Sequence, residues 1–456
     1  LTAVNRSGII VSEPVRWLLE SLEPASHRRS RLDEEADEMT NPTLRWCVAA
    51  GAALTMGVLA ACSGGTPEPG ENGNASEGST TSEIAFWDPY PQHAEGSAWD
   101  AHVKSCAPEG STIVRTSAPQ TDLFNQLTTA VKEGGAPDVV LLDNPMMPEA
   151  VGAGMLATAE QAGIDTSGVD ENLMGPGVVD GTAYGVPFGS NALGLYYNAD
   201  LLAEAGVDPA SVTDWDSLNA AMAQVVADGG KGITFSGVTG EEGVFQFLPW
   251  FWGAGADLSD ISSDEAVAAG QLLSDWIGDG LAPKSAATDN QSAAWDLFLT
   301  GEYAFAENGS WFAAAAAEAN FEVGVIPIPT RDGGVAPVPT GGEFAVAPIQ
   351  SEDASDHYAN ASAVIACLTE GEAAFQTNET LGYLSAKPEV RAEQAGQSPL
   401  WEPWVAAVEG AQGRTTDLGS EYVDASASLS AAIQAALNAA GDQAAVEAAF
   451  QDAGGF

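Results

Sequence analysis

Short apolar runs separated by helical spacing give the first outline of the chain. EIAFW (83–87) and PDVVLLD (137–143) have the pattern of buried strands, and STIVRTS (111–117) reads as a strand. Between them, 92–105 has helical periodicity, and TDLFNQLTTAVKEGG (121–135) predicts a helix capped by Thr121 or Asp122 and stopped by Gly134. Strands and helices in alternation favour parallel β-α-β units, so the fold class expected is α/β. Residues 198–320 are mostly helical by spacing, with YAFAEN (303–308) the clearest strand, and FEVGVIPIPT (321–330) and GGEFAVAPI (341–349) follow as strands. Two Ala-rich helices split by Gly441 end the chain, and no fixed-period repeat points to a solenoid. The segment VFQFLPWFWGAGAD (244–257) predicts a helix that is apolar around most of its circumference, and hence mostly buried, with Phe251 and Trp252 in the core.

Composition changes this picture at the N-terminal end. The 456 residues carry 64 Asp and Glu against 15 Lys and Arg, a formal charge of −49, which repels nucleic acid and anionic lipid. No nucleic-acid partner is expected. The stretch from Met39 places Arg45 before an apolar run, 47–61, that is too short to span a bilayer and has the layout of a secretory signal. Its end, Leu59-Ala60-Ala61-Cys62, resembles a bacterial lipobox, which implies cleavage before Cys62 and lipid on that residue. Residues 1–38 end in DEEADE, an acidic flank unlike a signal peptide's leading region, and translation is expected to start at Met39. Residues 62–82 have the composition of a flexible tether, with a reach of roughly 25 Å. Lipid would anchor the protein to the extracytoplasmic face of the cell membrane without a transmembrane helix. Two further cysteines, Cys106 and Cys367, then lie in an oxidising compartment, where such a pair tends to be bridged.

Catalytic signatures are few. G-x-S-x-G, H-E-x-x-H and G-x-x-x-x-G-K-[ST] are all missing from the sequence. His93, His102 and Cys106 offer a soft-metal alternative, which a bridged Cys106 would not support. Acidic residues are numerous, and no carboxylate pair is singled out for glycoside hydrolysis. Neither a metal, nor a cofactor, nor a catalytic residue is expected.

The segment DGTAYGVPFGSNALGLYYNADLLAEAGV (180–207) resembles the signature of the carbohydrate-binding proteins of ABC importers, the maltose-binding-like extracellular solute-binding proteins. FWDPY (86–90), TDWDSLNAAM (213–222), LFLTGEYAFAENGSWF (297–312) and TGGEFAVAP (340–348) agree in order. The resemblance covers nearly all of 83–456. It implies a type II periplasmic-binding-protein-like fold, with two lobes joined by crossing hinge segments. One lobe would hold 83–188 with 347–392, and the other 189–346 with 393–456, which places Cys106 and Cys367 in the same lobe. The implied function is that of a monomeric, non-enzymatic receptor that captures a sugar or oligosaccharide and delivers it to ABC permease subunits.

A sugar needs aromatic faces for its C–H surface and polar groups for its hydroxyls. Matches to the family pattern nominate Trp87 and Asp88 after the first strand, Asp143 and Asn144 after the third, and Asn191 in a crossing segment. They also nominate Glu242, Phe245 and Gln246 at one helix start, Trp250 and Trp311 as platforms, Gly342 and Glu343 in a second crossing, and Tyr422. Structural roles stand beside these: core for Trp87, helix caps for Asp88 and Asp143, an exposed strand end for Glu343. A polyamine, peptide or iron complex in the same fold, or an anchored glycoside hydrolase, remain the alternatives.

Overall fold

The computed structural model describes residues 82–351, 354–397, 401–416 and 418–454. The signal segment, Cys62 and all but the last residue of the tether lie outside the described residues. In chain order the strands are β1 (Ser82–Asp88), β2 (Ser111–Ser117), β3 (Val139–Asp143), β4 (Val178–Val179), β5 (Thr182–Ala183) and β6 (Val186–Pro187). They continue with β7 (Leu193–Asn198), β8 (Lys231–Thr234), β9 (Tyr303–Gly309), β10 (Val323–Ile326) and β11 (Glu343–Val346). Two sheets result, β2-β1-β3-β11-β6 and β10-β7-β9-β8, each at the centre of a lobe, with β4-β5 a separate hairpin. β1 pairs in parallel with β2 and β3, and β8 with β9, as the alternation of elements predicts. The strands nearest the hinge depart from that pattern: β11 is antiparallel to both β3 and β6, and β7 to β9 and β10.

The pleat divides the first lobe's core. Val139, Leu141 and Ala345 face a cluster with Trp99, Val103 and Ile365, while Val140, Leu142 and Phe344 face one with Leu123 and Leu127. β3 is apolar on both faces because helices cover it on both sides. Pro187 cannot donate to a ladder, and it sits in β6 at the sheet's edge. The helix expected over 92–105 is confined to Ala98–Ser105, capped by Ser97. The next helix runs Gln120–Glu133 and starts one residue early, behind Pro119 in extended geometry, so Thr121 and Asp122 fall in its first turn rather than at its cap. Gly134, at φ 74°, ends it in the left-handed conformation as expected.

Cys106 and Cys367 are disulfide-bonded, with Cα atoms 5.6 Å apart. The bridge joins the C-cap of Ala98–Ser105 to the helix Ser355–Thr369 inside the first lobe. Cys106 therefore has no thiolate for a metal, and His102 Nε2 is engaged with Thr377 Oγ1 at 2.7 Å.

The chain crosses between lobes three times. Phe188 packs in the first core and Ala192 in the second; Val338 returns from the second to Phe344 of the first; Tyr383 and Leu384 lie on either side of the third crossing. The second crossing thus comes before Glu343 instead of after Val346, because β11 completes the first sheet. The third lies ahead of Ala392. Ser190 and Leu384 exchange backbone hydrogen bonds of 2.8 Å, and Ser190 Oγ donates to Gly341 O, so the three crossings lie side by side. No helix among the described residues is long and apolar enough to cross a membrane.

Candidate ligand-binding cleft

Between the lobes, beside these crossings, lies a cleft of about 910 Å³. Asp143 and Glu343 reach it because β3 and β11 end there in register, Cα opposite Cα. The crossing segments add Asn191, Gly341 and Gly342. A Cβ on Gly341 would come 1.8 Å from Asn191 Oδ1, and Gly342 has φ 92°, so glycine is needed at both positions for the crossings to approach this closely. From the second lobe, Glu241, Glu242 and Phe245 enter on the first turns of the helix Glu241–Gly253. Trp311 faces the cleft from the single turn after β9, its ring centroid 6.3 Å from that of Phe245.

Seven of the expected contacts, Asp143, Asn191, Glu242, Phe245, Trp311, Gly342 and Glu343, thus line one cavity. Six do not. Strand alternation turns Trp87 toward the helix Gln120–Glu133, where it packs against the core. Asp88 is fully buried and receives Arg115 Nη2 at 2.8 Å, Trp99 Nε1 at 3.1 Å and Tyr90 N at 3.0 Å, so it anchors the loop that carries Tyr90. Asn144 donates to Thr340 O at 3.1 Å and ties β3 to a crossing. Gln246 is buried away from the cavity with neither amide atom partnered, and Trp250 packs in the second core, where its Nε1 donates to Glu307 Oε2 at 2.8 Å. Only the first turns of that apolar helix reach the cavity. Tyr422 lies behind the wall and donates to Glu241 Oε1 at 2.7 Å.

Residues that the sequence did not single out complete the site. Tyr90 Oη and Tyr383 Oη both donate to Glu343 Oε2, at 2.5 and 3.0 Å. Burial, with Asp143 opposite, pushes the Glu343 carboxyl up to about 8, against the partial relief of the two phenols and Arg414. Arg414 is buried and spans the lobes, with Nη2 donating to Asp143 Oδ1 at 2.9 Å and Nη1 to Glu241 Oε1 at 2.5 Å. Its guanidinium also lies 4.9 Å from the Phe245 ring centroid. Burial works against its charge, but Asp143 and Glu241 more than offset this and hold the guanidinium further above its usual range. A signal for Arg414 was present in the sequence: it is one of only 15 basic residues in a strongly acidic chain.

The profile of the bacterial extracellular solute-binding protein family matches residues 107–409. The chain belongs to that family. This solute-binding protein has the two-lobe, type II periplasmic-binding-protein fold, and its structure is similar to two solved ones. The GacH receptor of Streptomyces glaucescens GLA.O, solved unliganded and with acarbose, superposes with a TM-score of 0.71 at 21% identity, over 82% of this chain and 97% of that one. The cyclic alpha-maltosyl-1,6-maltose binding protein of Arthrobacter globiformis gives 0.65 at 26% identity, over 82% and 99%. A Brucella abortus protein described as a binding protein is 28% identical over 206 residues, 42% of this chain. The chain spans about half the length, 49%, of the curated relatives it first matches.

Within this solute-binding protein, Glu242 combines two duties. Its Oε1 accepts from Gln291 N at 2.6 Å and Ser236 Oγ at 3.2 Å, which joins two helix starts at the cleft wall. The cavity therefore presents aromatic faces at Phe245, Trp311 and Tyr90, with carboxyl and amide groups between them. That combination suits a ligand with apolar faces and a polar rim.

Proposed function

We propose that the chain is an extracytoplasmic receptor that captures a sugar or oligosaccharide in this cleft and delivers it to an ABC-type permease. The observation that carries this is the convergence of Trp311 and Phe245 with Asn191, Glu242 and Glu343 in one cavity at the hinge. Sugar ligands of the Streptomyces and Arthrobacter proteins support the ligand class. The family's character as binding proteins supports capture without reaction. On this reading the protein acts as a monomer, with one lobe formed by residues around the first sheet and the other around the second. It is held to the membrane by lipid on Cys62, beyond the tether.

A thermal-shift screen of mono- and oligosaccharides beside amino acids, peptides, polyamines and iron chelates tests the ligand class. A saturating sugar at a hundredfold excess over its Kd should add about 2.7 kcal/mol of stability. Stabilisation by another class with none by any sugar rejects the carbohydrate reading, and product release from chromogenic glycosides rejects capture without reaction. The anchor is tested by the mass of the N-terminal peptide of membrane-fraction protein, expected to begin at an acylated Cys62.

A further inference from the structure

The polar lining of the cleft is unbalanced in charge. Four carboxyl groups face it, Asp143 and Glu343 from one lobe and Glu241 and Glu242 from the other, against the single guanidinium of Arg414. Arg414 is already shared by Asp143 and Glu241. The remaining basic side chain, His93, has its pKa lowered by burial and by Arg115 and is neutral at pH 7. The register of β3 on β11 sets Asp143 directly opposite Glu343. Like charges so placed are destabilising unless one is removed or a cation lies between them. Arg414 hydrogen-bonds Asp143, whereas both phenols at Glu343 converge on Oε2, and among the described residues no side chain donates to Oε1. Asn191 lines the same cleft, with its Oδ1 buried beside Gly341. The cleft therefore holds a surplus of carboxyl groups over cations.

We propose that the captured carbohydrate carries a positively charged amino group, as an amino sugar does, which docks on the Glu343 carboxyl group. This rests on the carbohydrate reading above and narrows it. An ammonium group has three donors and no acceptor, which matches the surplus, and its hydrogen bonds to a carboxylate are roughly twice as strong as neutral ones. An anionic sugar would meet the carboxyl groups with the one guanidinium already engaged.

Docking also moves a proton. The groups that face Glu343 are Tyr90 from beyond β1, Asp143 from β3, Tyr383 from the third crossing and Arg414. In this setting Glu343 is held at about 8 and keeps its proton at pH 7 when no cation is present. An incoming ammonium takes the place of that proton: the carboxyl O–H releases H⁺ to solvent, and an N–H···O⁻ bond forms. A neutral sugar leaves the proton in place.

Calorimetric titration of the full chain at pH 6, where glucosamine amino groups are protonated and Glu343 still carries its proton, with a glucosamine trisaccharide, its N-acetylated counterpart, maltotriose and spermidine tests this, each run in two buffers of different ionisation enthalpy. The glucosamine trisaccharide is expected to bind about tenfold or more tighter than the N-acetylated one and to release close to one proton, with no release for the neutral sugars. Glu343→Gln, which mimics the protonated carboxyl and should melt near the wild type at pH 6, is expected to abolish both the preference and the proton release. Equal or tighter binding of a neutral sugar, or a preference that survives in Glu343→Gln, overturns the inference and leaves sugar capture standing. Binding of spermidine with no binding of any sugar overturns the carbohydrate reading itself.

Discussion

Arg414 is buried between Asp143 of one lobe and Glu241 of the other, and such a pair stabilises a structure only when the remaining valences of both partners are met. Here Tyr422 and Ser426 donate to Glu241, which supports the acidic partner, while Arg414 Nε is buried without a partner. Glu307 lacks such donors: it is 1% exposed, its Oε1 has no partner, and among the described residues Trp250 alone donates to its side chain. Burial raises its pKa from 4.5 to about 8, against the smaller effect of Trp250. Over that interval the folded chain keeps a proton that the unfolded chain gives up. The contribution to stability is therefore complete below the unfolded value and is lost as pH rises through the folded one. Urea unfolding between about pH 5 and 8 should show stability falling with pH, with Glu307 adding up to about 1.4 kcal/mol per pH unit to the slope. Glu307→Gln should flatten that slope, and an unchanged slope would count against a buried, protonated Glu307. At Gly342, the positive φ and a Cβ position 2.6 Å from Gly189 O make the residue's size decisive. Gly342→Ala should cost at least about 1 kcal/mol in urea unfolding, and a smaller loss would show that the crossings can move apart.

The helix Glu241–Gly253 shows how one element serves two purposes. Its apolar residues run around the circumference, so most of it is core, as its pattern predicts, and Phe251 is fully buried. Its first turn alone carries charge to the cleft, where Glu241 and Glu242 precede Phe245. Phe251→Ala should lower unfolding stability by about 3–5 kcal/mol, with little change in ligand affinity for the molecules still folded. Trp311→Ala, on the partly exposed turn after β9, should reverse this balance, with affinity falling by about tenfold or more and a smaller loss of stability. Paired urea and calorimetric measurements separate the two, and the same ratio for both variants would refute the division. Periodicity exposed this helix and its buried face, whereas the match to the family pattern led to Gln246 and Trp250 as contacts. Which residues of an apolar helix meet a cavity depends on where the partner lobe stops, and the helix's own pattern carries no record of that.

At the scale of the whole molecule, the disulfide staples one lobe and leaves the hinge free. Removing it with Cys106→Ser plus Cys367→Ser should cost about 2–5 kcal/mol in urea unfolding. Ligand affinity measured below the new midpoint should hold, because both cysteines pack in the first core and neither lines the cleft. A large loss of affinity would place the bridge in the closing motion instead. By itself the sequence determined the α/β class, most strands and helices and the buried character of the aromatic helix. Those features follow from local periodicity, which each segment carries within its own residues. Its ordered resemblance to a family added the two-lobe plan and seven of the positions now found along one cavity. The tertiary structure alone decided that Asp88 anchors a loop and that Tyr422 braces Glu241. It alone brought Tyr90, Tyr383 and Arg414 to the carboxyl groups of β3 and β11. Arg414 lies 271 residues from Asp143 in the chain, and a contact across that distance is set by the meeting of two lobes, which no spacing along the sequence encodes.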